Sequence, residues 1–106
     1  MRELPADEVA IDTVGRLIVR PALAPGEDFA FIYRAAMEVA WDQAGQALVT
    51  PIPREWSSAR WFNQVADALR NEYGRRLVVN AHTRWSNVPP AAREEIEARF
   101  GSEPAV

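Results

Sequence analysis

From Phe29 to Trp41 every odd position is apolar (Phe29, Phe31, Tyr33, Ala35, Met37, Val39, Trp41), whereas Arg34, Glu38 and then Asp42 fall on even ones. Successive side chains of a strand point to opposite sides, so this period of two predicts a long strand over residues 29–41 with one buried face. Shorter apolar runs before and after it predict strands at Ile11–Val14, at Arg16–Arg20 (RLIVR, ended by Pro21), at Ala47–Thr50 and at Arg75–Asn80. Residues 1–8 are polar and are expected to be loosely ordered. The Pro25-Gly26 step marks a turn, and Asp42–Gln46 reads as a hairpin loop with Gly45 at positive φ.

At Ser57 the period changes. Stepping about 100° per residue, Trp61, Phe62, Val65, Ala66, Leu69 and Tyr73 share an arc of roughly 140°, with Arg60, Asn63, Asp67, Arg70 and Asn71 opposite. This predicts an amphipathic helix over 57–73, capped by Ser57 or Ser58 and closed by Gly74 in the left-handed region. Pro89 and Pro90 suit the first turn of a second helix to residue 100, with Ser86 or Asn87 as cap and Ala92, Ile96 and Phe100 on its apolar side. Gly101 ends it, and residues 102–106 read as a frayed tail.

The fold class expected is α+β: a mainly antiparallel sheet of four to five strands with two helices, in the order β-β-β-β-α-β-α, within one domain spanning 1–106. Trp61, Val65 and Leu69 are expected to cover the strand face bearing Phe31, Tyr33, Met37 and Val39. The other face of that strand, with Ala30, Ile32, Ala36 and Ala40, is low in charge, and the second helix either packs fully over it, leaving a monomer, or is too small to cover it. The second case predicts a homodimer with Ile32, Arg34, Ala36 and Glu38 at the interface, because a two-fold axis lets one patch serve both subunits.

Composition narrows the chemistry. The chain of 106 residues has 48% hydrophobic and 25% charged residues, the balance of a globular domain that needs no staples. It has no Cys, which removes disulfides, thiolate nucleophiles and Cys-type zinc sites and fits a cytoplasmic setting. The acidic start lacks the basic and apolar regions of a signal peptide, and no apolar run approaches the ~20 residues that span a bilayer. A net charge of −3 argues against a phosphate-neutralising surface, so neither nucleic acid nor membrane is an expected partner. All twelve basic residues are Arg, as a GC-rich coding sequence would give; the functional counterpart is a surface suited to bidentate carboxylate contacts.

Candidate site residues remain. Trp56 precedes the helix and, with Arg54, Tyr33 and Trp85, could line an aromatic and Arg-rich recess for a small ligand. His82, the only histidine, lies in a loop with neither an orienting carboxylate nor a second metal ligand nearby in sequence, so a solvated histidine is expected there. No G-x-S-x-G, G-x-x-x-x-G-K or G-x-G-x-x-G motif occurs, and no catalytic residue or cofactor is assigned.

The runs FIYRAAMEVAWD and PREWSSARWFNQVADALRNEYG resemble the small orphan proteins encoded by mobile gene cassettes of integrons. The resemblance spans about residues 16–80 and implies a bacterial, cytoplasmic accessory protein, frequently oligomeric, with no activity to carry over. The expected function is thus non-enzymatic protein–protein association. The alternatives are a small-ligand-binding domain or minor enzyme, and an acidic immunity or antitoxin protein.

Overall fold

The computed structural model describes residues 1–52 and 56–101. Along the chain these form β1 (Arg2–Ile11), β2 (Leu17–Pro21), a 3-10 turn (Ile32–Arg34), β3 (Ala40–Asp42), β4 (Ala47–Val49), α1 (Ser58–Tyr73), β5 (Arg75–Val78), β6 (Arg84–Ser86) and α2 (Pro90–Phe100). The α+β class and the two helices agree with the sequence reading, but the sheet has six strands and is mixed. Its order is β3-β4-β2-β1-β5, with β6 also on β1. Neighbours are antiparallel from β3 to β1, whereas β5 and β6 run parallel to β1.

The segment expected to be loose at the amino end is the centre of this sheet. Leu4, Ala6 and Val9 of β1 are all buried, and the pairing with β2 is irregular between Ala6 and Glu8. A bulge of this kind shifts the in/out alternation by one residue, which hides the strand from a period-two reading. Pro5 is tolerated because it sits where the ladder to β2 has ended. Its carbonyl accepts the Ala22 N–H at 2.8 Å, and the N–H it lacks would point to that same side, beyond the paired residues. The strand expected at 11–14 is instead the end of β1 and a turn held by Asp12, whose Oδ1 accepts the N–H groups of Val14 (3.1 Å) and Arg16 (2.9 Å).

The larger correction concerns residues 29–39, which form no strand. Phe29, Ile32, Ala36 and Val39 are buried, a spacing of three and four that follows the 3-10 turn and the tight turns after it. Both phases of this stretch are apolar, so alternation at the odd positions was available without being used. Its Ala, Met and Glu content also favours strands poorly.

Helix α1 keeps its sequence signature. The Ser57 hydroxyl accepts the Arg60 N–H, and Gly74 closes the helix at φ 63° with its N–H on the Arg70 carbonyl. Its buried face, including Trp61, Phe62, Val65 and Leu69, packs in one core with Leu4, Val9, Leu17, Val19, Leu48 and Leu77 of the sheet. The expected cover over Phe31, Tyr33 and Met37 does not exist, since all three are exposed. Helix α2 begins at Pro90, with Pro89 in the cap position and without the side-chain cap expected of Ser86 or Asn87. Ile96 is its buried residue, and Phe100 packs on Phe62 with ring centroids 4.9 Å apart.

Two local expectations also change. In the hairpin between β3 and β4, Gln46 rather than Gly45 takes the positive φ. The strand expected over 75–80 stops at Val78, and the chain rejoins β1 as β6 after a turn. Thr83 fills that break, donating its hydroxyl to the Ala6 carbonyl (2.7 Å) and accepting the Asn80 N–H (3.0 Å).

Candidate functional site

A hydrogen-bonded turn holds three large apolar side chains out to solvent. Phe29 anchors it from below, its ring edge-on to Trp41 (5.6 Å) and Tyr73 (4.9 Å). The N–H groups of Ile32 and Arg34 donate to the carbonyls of Phe29 and Phe31, and those of Ala35 and Ala36 to Ile32. The Tyr73 hydroxyl accepts the Phe31 N–H at 2.9 Å, tying the turn to the end of α1. Buried Ile32 and Ala36 complete the base. On top, Phe31 is 49%, Tyr33 51% and Met37 89% exposed.

Charge borders this apolar surface. The Arg34 guanidinium lies 4.4 Å over the Phe31 ring and 3.8 Å from the Glu72 carboxylate, while Glu38 is exposed near the end of the turn. The Glu72 side chain is itself partly exposed. Aromatic, Met and Arg side chains with a charged border are the composition that protein interfaces favour.

Of the interface residues expected from sequence, Arg34 and Glu38 belong to this surface. Ile32 and Ala36 do not, because both are core residues and unavailable to a partner. Phe31 and Met37, expected inside, are the members that sequence reasoning missed. The 29-32-36-39 spacing was the signal that could have found them.

Among the described residues, the members of the expected aromatic recess have separate neighbours. Tyr33 neighbours Phe31 on the turn, with centroids 6.4 Å apart. Trp56 packs on Trp61 (4.6 Å) beneath the Arg60 guanidinium (4.3 Å). Trp85, on β6, has Arg93 of α2 over its ring at 5.1 Å, and Arg54 lies outside the described residues. His82 is exposed in the turn before β6, where its backbone N–H donates to the Asn80 side chain. Among the described residues no group of three His, Cys, Asp or Glu is placed to hold a metal ion, and no helix is long and apolar enough to cross a membrane.

Comparison with known proteins gives a family. The family model for Integron Cassette Protein Hfx_Cass5 matches residues 7–83. A solved structure of Integron Cassette Protein Hfx_Cass5, from the mobile metagenome of North West Arm Sewage Outfall, is similar at 40% identity. That alignment covers 92% of this chain and 95% of the other, with a TM-score of 0.45. No curated protein matches the chain.

Proposed function

The chain belongs to the Hfx_Cass5 family of integron cassette proteins, and we propose that it is a non-enzymatic bacterial accessory protein of the cytoplasm that acts by association with a second copy of itself. The observation that carries this reading is the exposure of Phe31, Tyr33 and Met37 on a turn whose own base is buried in the core. Such a turn loses little conformational entropy on docking, since its backbone is already fixed by hydrogen bonds. Exposed apolar patches on small soluble domains mark association surfaces. Arg34 and Glu38 are both exposed and opposite in charge, so a contact about a two-fold axis allows them to pair between copies.

Size-exclusion chromatography with light scattering tests this. A dimer returns about twice the 11.9 kDa chain mass at micromolar concentration and dissociates on dilution, as mass action requires. The double variant Tyr33→Ser, Met37→Ser is expected to run as a folded monomer. A mass of 11.9 kDa for the unaltered chain across roughly a hundredfold range of concentration would overturn the proposal.

A further inference from the structure

The ends of α1 and α2 meet the start of β5 around a cleft of about 360 Å³, the size of a small-molecule site. Met1 and Phe100 are among its apolar lining residues, and Arg70, Arg76 and Arg99 line it from three different elements. Asp67 is the one carboxylate among the lining residues. A chain of net charge −3 thus presents here a positively charged recess with an apolar wall.

The present partners of these arginines leave that charge only partly answered. Arg70 meets Asp67 at 3.2 Å and Arg76 meets Glu3 at 3.2 Å, all four side chains being more than two-fifths exposed. Arg99 reaches the neutral Asn63 amide at 3.5 Å. Exposed pairs of this kind contribute little and are readily exchanged. Arg70 and Arg99 stand in the last turns of their helices, where a cation also complements the dipole. Arg76 stands on a strand and has no such role.

We propose that this cleft binds a small organic carboxylate with an apolar body, the body against Phe100 and Met1 and the carboxylate in the guanidinium forks. Arg suits this because its planar donors match a carboxylate two to two. The site is separate from the association surface, and its test is independent of the oligomeric state.

The test titrates octanoate and its shape-matched neutral analogue octanamide into the full chain by calorimetry. Octanoate is expected to bind at least roughly tenfold more tightly than octanamide. The variant Arg76→Gln, Arg99→Gln should bring octanoate down to the level of the amide while leaving the amide unchanged, which also reports that the cleft is intact. If that pair fails to fold, Arg76→Gln alone should weaken octanoate selectively, and Tyr33→Ser should leave both ligands unaffected. Equal affinity for acid and amide, octanoate binding unchanged in the arginine variants, or no binding of octanoate up to about 10 mM would each overturn the proposal.

Discussion

Leu69 and Met37 mark the two extremes open to an apolar side chain in this protein. Leu69, on the inner face of α1, is 0% exposed and Met37 is 89% exposed, although both read as core from the sequence. Leu69→Ala removes buried methylenes from a packed site, and urea denaturation is expected to show a loss of ~2–5 kcal/mol. The candidate site was legible at this scale only in part. Arg34 and Glu38 stand out in the sequence, yet Phe31, Tyr33 and Met37 could be recognised as surface residues only once Phe29 had been seen to anchor the turn against Tyr73 and Trp41.

At the scale of elements, α1 was legible to within a residue because its signals are local. A stripe at period 3.6, a serine cap and a left-handed glycine all act within one or two turns. The strands were less legible. The segment from β5 to β6 follows one edge of β1, interrupted where Thr83 substitutes its hydroxyl for backbone partners. Thr83→Val keeps the shape but leaves a buried Ala6 carbonyl and the Asn80 N–H without that partner. It is expected to cost about 1–3 kcal/mol, with Thr83→Ser retaining most of the stability and faster amide exchange in β6 as the local readout.

Across the whole molecule, the loop after β2 is tied to the starts of β1 and β5 by one carboxylate. Glu27 meets Arg75 of β5 at 2.5 Å and Arg2 of β1 at 3.7 Å, and it accepts the Ala24 N–H at 3.2 Å. Desolvation pushes its pKa up, but the Ala24 hydrogen bond and the hydrogen bond and charge of Arg75, helped by Arg2, outweigh that and hold it below the ordinary 4.5. A carboxyl more acidic in the folded than in the unfolded state stabilises the fold above the unfolded value, and loses that contribution as pH falls through the folded one. Glu27→Gln is therefore expected to be less stable than the unaltered chain at pH 7. The gap should narrow as pH drops below 4.5, which denaturant titrations at neutral and acidic pH would show. Asp12 moves in the same direction, desolvation again being outweighed by hydrogen bonds from Arg16 and Val14 and by the charge of Arg16, so some acid sensitivity remains in the variant.

What the sequence determined by itself is whatever depends on neighbours a few residues away. That covers the α+β class, the position and ends of α1, the Pro start and Gly stop of α2, and the lack of any thiol. Tertiary structure decided which strand is central and which apolar residues meet water. β1 pairs with β5 and β6 at a distance of more than seventy residues, and no local pattern reports a partner so far away. The bulge near Asp7 also broke the only alternation that would have revealed it. In residues 29–39 both helical and strand phases were apolar, and burial went to Phe29, Ile32, Ala36 and Val39 because those side chains fit against α1 and β3. The exposure of Phe31, Tyr33 and Met37 follows from that fit.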